Sequence, residues 1–196
     1  AGGGTSNSSG TVNLTTQTGG GTINMTAASG DYKINGQGGV DTLTGGGGAD
    51  IISGGVNADA LSGKGGNDVL SGGADNDEMT GGAGNDTFKA DGGTDTITDL
   101  GGTSGGDTDV LIVSNGAIAN ATNITSFTAD GSTTNSGTAN LTTKVAGGTI
   151  DVGSSATGAY SLTGLSGNDT LKGNGNNDII NGGSGNDTID GRGGND

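Results

Sequence analysis

The chain is 196 residues long and carries a formal net charge of −15, with 21 Asp and Glu against six Lys and Arg. Only 27% of it is hydrophobic and 2% aromatic, too little to fill a globular core of that length, and its 48 glycines would read as disorder unless a repeat intervenes. The scattered cations exclude a nucleic-acid-binding patch, the absence of Cys and His excludes disulfides, thiolate or imidazole metal sites and His-based catalysis, and no apolar run reaches membrane-spanning length.

Residues 1–26 are rich in Thr, Ser, Asn, Gly and Ala and carry almost no charge. The alternations Val12–Leu14 and Ile23–Met25 predict half-buried strands. "SGTVNLTTQTGGGTIN" (9–24) returns later in the chain as "SGTANLTTKVAGGTID" (136–151). Past one inserted residue, "SGDYKING" aligns with "TGAYSLTG" and pairs Tyr32 with Tyr160. A larger unit of about 128 residues therefore repeats.

From residue 36 a nine-residue register takes over, and seven consecutive nonapeptides run to residue 98 without insertion. Position six is Asp in all seven: Asp41, Asp50, Asp59, Asp68, Asp77, Asp86 and Asp95. Position eight is apolar throughout, from Leu43 to Ile97, and position one is Gly except at Ala90. Position four is Gly, Asn or Asp, the residues that best tolerate a left-handed backbone, so positive φ is expected there. Asp109 and Leu111 form one further copy, out of phase after a short insertion, and "DVLIVSNGAI" (109–118) reads as a concentrated apolar strand ending in an Asn115–Gly116 turn. Residues 114–163 repeat the Thr-rich composition, and a second array at 164–196 places Asp169, Asp178, Asp187 and Asp196 at position six.

"GGAGNDTFK" (81–89) and "GGSGNDTID" (182–190) fit the pattern G-G-x-G-x-D-x-U-x, with U large and apolar, at every defined position. With ten full copies over roughly half the chain, the sequence resembles the RTX (repeats-in-toxin) nonapeptide family of calcium-binding β-rolls. Departures fall at position two (Gln37, Lys64, Asp91, Leu165, Asn174, Arg192) and at Val56–Asn57, and weaken single turns only.

The resemblance implies an all-β fold, a right-handed parallel β-roll or β-solenoid in which two nonapeptides make one coil. Each six-residue half is then a turn, and x-U-x a short strand with U inward. Position-six residues 18 apart would stack about 4.8 Å from one another. Two bare carboxylates about 5 Å apart repel by roughly 3 kcal/mol at an effective dielectric near 20, and a hard dication between them reverses the sign. Oxygen-only ligands, carboxylates and glycine-turn carbonyls, favour Ca2+. The expected metal residues are Asp41, Asp50, Asp59, Asp68, Asp77, Asp86, Asp95, Asp109, Asp169, Asp178, Asp187 and Asp196. Pairing 41/59, 59/77, 77/95, 50/68, 68/86, 169/187 and 178/196 gives seven shared sites, with Asp109 a further candidate. Tyr32 and Tyr160, each at position six of a degenerate nonapeptide just before an array, read as turns that lack the calcium Asp and are plugged by an aromatic. Residues 1–35 and 114–163 are thus expected as calcium-free rungs continuing the solenoid, and 36–113 and 164–196 as calcium-binding arrays.

Other motifs lead nowhere. "GTSGG" (102–106) matches G-x-S-x-G but has no His to serve as base. Glu78 is the only Glu and falls at a solvent-facing position seven, and the sequons at Asn13, Asn24, Asn123 and Asn140 are what a Thr/Asn-rich chain makes by chance. The expected role is structural, not enzymatic: a secreted repeat region, exported unfolded by bacterial type I secretion, that folds and stiffens on extracellular calcium within a surface layer, filament or adhesin. The alternative is the calcium-dependent accessory domain of an exported toxin, protease or lipase. The second unit stops at Asp196 in mid-nonapeptide, which reads as a window on a longer tandem polymer with self-association. Neither nucleic-acid binding nor membrane insertion is expected.

Overall fold

A computed structural model describes residues 12–102, 107–154 and 157–196. The Ser of the G-x-S-x-G match lies outside the described residues, as does the start of the first Thr-rich segment. Among the described residues every regular element is a strand. The Thr-rich start gives β1 (Val12–Thr15), β2 (Thr22–Asn24) and β3 (Tyr32–Asn35). The first array gives β4 (Thr42–Thr44), β5 (Ile51–Val56), β6 (Ala60–Gly65), β7 (Val69–Ala74), β8 (Glu78–Ala83), β9 (Thr87–Ala90) and β10 (Thr94–Ile97). The apolar run and second Thr-rich segment give β11 (Val110–Val113), β12 (Ile118–Ile124), β13 (Ser126–Thr128), β14 (Thr134–Asn135), β15 (Thr138–Thr143) and β16 (Thr149–Asp151). The last stretch gives β17 (Tyr160–Thr163), β18 (Thr170–Lys172), β19 (Ile179–Asn181) and β20 (Thr188–Asp190).

All of these strands pair in parallel, and together they wind a β-solenoid. Odd strands from β1 to β11, then β14, make one sheet; β2, β4, β6, β8, β10, β12, β15, β17 and β19 make a second; β13, β16, β18 and β20 make a third. In the first array each coil is two nonapeptides long, as Ile34 faces Ile52 and Ile52 faces Leu70. In the Thr-rich parts the coil is longer than that, since Val12 faces Tyr32 and Thr94 faces Ile118. From β12 to β15 one coil touches all three sheets. The first sheet ends there and the third begins, so the duplicated unit is displaced by one sheet: β1, β3 and β5 recur as β15, β17 and β19.

Inward positions form columns one side chain wide. One runs Leu14, Ile34, Ile52, Leu70, Phe88, Leu111; the next Ile23, Leu43, Leu61, Met79, Ile97, Ala121, Leu141, Leu162, Ile180; the third Phe127, Ile150, Leu171, Ile189. From Ile34 to Leu171 these side chains are buried, each of the large ones contributing about 2 kcal/mol and Ala121 less. Leu14, Ile23 and Ile180 are only partly buried, and Ile189 is 52% exposed, with no described strand stacked beyond it. Position eight is therefore inward as expected, but not buried at Ile189.

Two expectations need correction. Strands β5 to β8 are six residues long rather than three, because the following turn residues stay in the ladder: Gly55 faces Gly73 and Lys64 faces Gly82. Position four is left-handed at Gly39, Asn57, Gly66, Asp75, Gly84, Gly93, Gly167, Gly185 and Gly194, but not at Gly48 or Asn176. Position two, seen in the sequence only as a place of departures, is left-handed at Gln37, Lys64 and Arg192 (φ 70°, 83° and 67°), where a side chain costs about 1–2 kcal/mol over glycine. Glu78 is exposed, as expected of position seven.

Candidate metal centre

The stacking brings the position-six residues into continuous columns. One reads Asp41, Asp59, Asp77, Asp95, Ala119, Ala139, Tyr160, Asp178, Asp196, another Tyr32, Asp50, Asp68, Asp86, Asp109, and a third Gly148, Asp169, Asp187. Asp41, Asp50, Asp59, Asp68, Asp77, Asp86, Asp95, Asp109, Asp169 and Asp178 are buried; Asp187 is half-buried and Asp196 exposed.

In Asp59, Asp68, Asp77, Asp95 and Asp169 the two carboxylate oxygens do different things. Oδ1 accepts the main-chain N–H of the residue one coil back in its own column. The Asp41 N–H donates to Asp59 (2.8 Å), Asp50 to Asp68 (2.7 Å), Asp59 to Asp77 (2.8 Å), Asp68 to Asp86 (2.8 Å), Asp77 to Asp95 (3.0 Å), Asp169 to Asp187 (3.0 Å) and Asp178 to Asp196 (2.9 Å). This amide lessens the repulsion between neighbouring acids. Oδ2 of Asp59, Asp68, Asp77, Asp95 and Asp169, and both oxygens of Asp41, are buried and accept no hydrogen bond. A buried carboxylate oxygen without a donor is costly and calls for a cation.

The position-one glycines show what Oδ2 faces. A Cβ on Gly54 would lie 2.4 Å from Asp59 Oδ2 and 2.5 Å from the carbonyl oxygen of Gly72 in the next coil. On Gly63 it would lie 2.1 Å from Asp68 Oδ2 and 2.7 Å from the Gly81 carbonyl; on Gly164, 2.7 Å from Asp169 Oδ2 and 2.2 Å from the Gly182 carbonyl. Each of these turns thus aims a carboxylate oxygen and a main-chain carbonyl at one small space that only glycine leaves open; the same approach recurs at Gly45 beside Asp50 and at Gly173 beside Asp178, where a main-chain N–H also reaches Oδ2. At Gly54, Gly63 and Gly164 two acceptors converge with no donor between them. Among the described residues no three acidic side chains converge, so an ion here would be held by one or two carboxylates together with carbonyls. That donor set suits Ca2+, which takes six to eight oxygens.

Burial pushes the carboxyls of Asp68, Asp77 and Asp86 up to about 7 and that of Asp95 to about 6, with neighbouring carboxylates adding to the rise and the main-chain N–H bonds opposing it. Asp50, Asp59, Asp99 and Asp109 are raised for the same first reason.

Three expected ligands differ from the rest. Asp50 Oδ2 accepts the Gly46 N–H (2.8 Å), Asp178 Oδ2 the Asn174 N–H (2.8 Å) and Asp109 Oδ2 the Gly101 N–H (2.7 Å). At Oδ1 they accept from Tyr32 (2.7 Å), Tyr160 (2.8 Å) and Asp86 (2.9 Å). The two tyrosines are buried and do occupy position six, with a main-chain amide where the arrays carry an acid.

Position five holds a role that the sequence reasoning missed. Its Asn side chains accept the N–H of the next coil: Asn85 donates to Asn67 (2.9 Å), Thr94 to Asn76 (2.8 Å), Asn186 to Asn168 (2.9 Å) and Asn195 to Asn177 (2.8 Å). Position-six bonds run back one coil and position-five bonds run forward one, so the turns that carry Asn67, Asn76, Asn168 and Asn177 are tied on both sides. The recurring Asn-Asp pair was the available signal. Asp99, which takes the N–H groups of Gly81 (3.0 Å) and Gly82 (2.6 Å), follows the last nonapeptide and has no repeat partner to reveal it.

A parallel solenoid with oxygen-lined cation cradles in its turns defines a calcium-binding β-roll. The RTX calcium-binding nonapeptide repeat family matches residues 33–61, 62–97 and 163–196, half of the chain, and the chain belongs to that family. No curated protein and no solved structure matches it. Asp Oδ2 atoms and position-one carbonyls are the groups that would hold calcium, which when bound supplies the charge their convergence lacks.

Proposed function

We propose that this calcium-binding repeat region is a secreted structural element, folding and stiffening on extracellular calcium as part of a surface layer, filament or adhesin. The observation that carries the reading is the duplication. The long unit recurs with its Tyr rung, its array and its strand order, and the second copy stacks on the first through the sheet shared by β12, β15 and β17. A repeated, stackable unit suits a load-bearing rod, whereas an enzyme's accessory roll needs one array. RTX repeats are typical of exported proteins, which supports an extracellular site of action. The role proposed is mechanical and not catalytic, with calcium and further copies of the same unit as partners.

Single-molecule stretching tests this. In millimolar calcium the array coils should resist unfolding well above the force needed in chelator. Equal resistance in both conditions would remove the stiffening role. A catalytic domain encoded next to this region would favour the accessory-domain alternative.

A further inference from the structure

We propose that Asp50 and Asp178 are capping carboxylates and not calcium ligands, so that in each unit the turn beside the Tyr rung is closed by the protein alone. The proposal rests on the calcium reading of the other turns.

Three observations separate these two turns from their neighbours. Both oxygens of each carboxylate already accept main-chain N–H groups, at 2.7 and 2.8 Å for Asp50 and at 2.8 and 2.8 Å for Asp178. Elsewhere Oδ2 of Asp59, Asp68, Asp77 and Asp169 accepts nothing. The backbone differs as well. Positions two and four are left-handed at Gly55/Asn57, Lys64/Gly66, Gly73/Asp75 and Gly82/Gly84, but at neither position in Gly46/Gly48 or Asn174/Asn176. Lastly, both turns lean on the calcium-free coil before them. The Gly47 N–H donates to the Ala28 carbonyl (2.8 Å), and Asn174 Nδ2 donates to the Gly158 carbonyl (2.9 Å).

These features occur together twice, once in each copy of the long unit, although the two turn sequences differ (GGGGAD and GNGNND). The two turns share the tyrosine before them. With Tyr32 or Tyr160 filling the preceding place, no carboxylate precedes the acid in its own column, although Asp31 of the preceding coil lies near Asp50. A carboxylate holding charge-assisted amide bonds on both oxygens has the compensation that an open turn lacks. For an ion to use Oδ2 of Asp50 it would have to displace the Gly46 N–H and turn the peptide units of residues 46–48. Pairs 50/68 and 178/196 therefore carry an amide where the other pairs carry an ion, and two of the seven pairs drop out.

Native mass spectrometry of the full chain at saturating calcium tests the assignment. Asp50→Asn and Asp178→Asn should each keep the wild-type number of bound ions while lowering the thermal midpoint, whereas Asp59→Asn should lose at least one ion. Loss of an ion from Asp50→Asn equal to that from Asp59→Asn overturns the proposal. If the wild type binds no calcium, the calcium reading itself fails, and the two failures are distinguishable. Should the Asn variants not fold, an anomalous-scattering map of calcium-grown wild-type crystals decides. Peaks are expected beside Oδ2 of Asp59, Asp68 and Asp77, and a peak within ligand distance of Asp50 or Asp178 Oδ2 overturns the cap.

Discussion

Residues 36–98 and residues 118–152 build the same parallel stack with opposite chemistry in the same column. In the first, Asp41, Asp59, Asp77 and Asp95 succeed one another; in the second, Ala119 and Ala139 occupy the continuation of that column, both buried. The array coils are two nonapeptides long and carry an acid in this column, while the Thr-rich coil is longer and places no acid in it. There Asn140 Nδ2 donates to Asn120 Oδ1 (2.8 Å) and Asn135 Nδ2 to the Ala159 carbonyl (2.7 Å). The solenoid thus needs a filled column, and either small apolar side chains or acids with a counter-charge fill it. Only the second solution makes folding conditional on the medium.

Removing calcium should break this comparison most widely. In chelator at neutral pH the array acids lose their counter-charge and the narrow core cannot offset the loss, so the chain should be largely disordered by circular dichroism. Hydrogen exchange should show protection lost first at Leu61, Leu70, Met79 and Phe88, and last in β12, β15 and β16. A strand spectrum unchanged by chelator would sink the coupling.

Next in size is a transplant of array chemistry into the other region. Ala119→Asp puts a carboxylate beside Asp95 in a coil without the glycine cradle, and should cost about 3 kcal/mol as an unpaired buried charge. Urea unfolding in excess calcium measures it. Unchanged stability together with one more bound ion would show that the Thr-rich coil has a cradle too.

A smaller effect separates charge from calcium as such. The carboxyls of Asp68, Asp77 and Asp86 lie near 7 and Asp95 near 6 in the folded chain, above the roughly 3.9 of an unfolded Asp. The folded state therefore binds these protons more tightly than the unfolded chain. That contribution to stability is complete below about pH 4 and is lost as pH rises through 6 and 7. In chelator, strand content should be greater at pH 5 than at pH 7.5, and in calcium the ion's apparent affinity should fall as pH is lowered. A chelated chain equally disordered at both pH values would mean that the acids are not what opposes folding.

The register, the inward column and the array acids were legible because a strict nine-residue period places each of them without reference to anything else. What stayed hidden depends on how one coil meets the next. That Asp50 would be satisfied by Gly46 and Tyr32, and Asp68 left with a bare oxygen, follows from the coil stacked before each, though the two share one motif position. The third sheet opens at β13, and the coils lengthen, in stretches with no strict period. The left-handed backbone at Gln37, Lys64 and Arg192 was concealed because side chains stand where glycine would have signalled it.

The smallest expected change in stability carries a large change in assembly. Ile189 continues the column of Phe127, Ile150 and Leu171, yet is 52% exposed, and Ile179 on the outer face of β19 is 72% exposed. Among the described residues β19 pairs only with β17 and β20 only with β18, so each has one edge that no described strand pairs, beside an apolar side chain. A further coil from a second copy would pair that edge and cover Ile189 as β18 covers Ile150. Calcium should drive this association as well as folding, because the ordered array presents the edge. Ile189→Ser removes the apolar contact while disturbing little that is buried, so its unfolding midpoint should shift by less than about 1 kcal/mol. Calcium-induced light scattering should nevertheless fall several-fold relative to wild type, and Asp130→Ser, whose acid caps a local turn through the Ser132 and Thr133 N–H groups, should leave it unchanged. A wild-type chain that folds in calcium and stays monomeric at high concentration would mark the region as a self-contained module, and the exposed isoleucine as no interface at all.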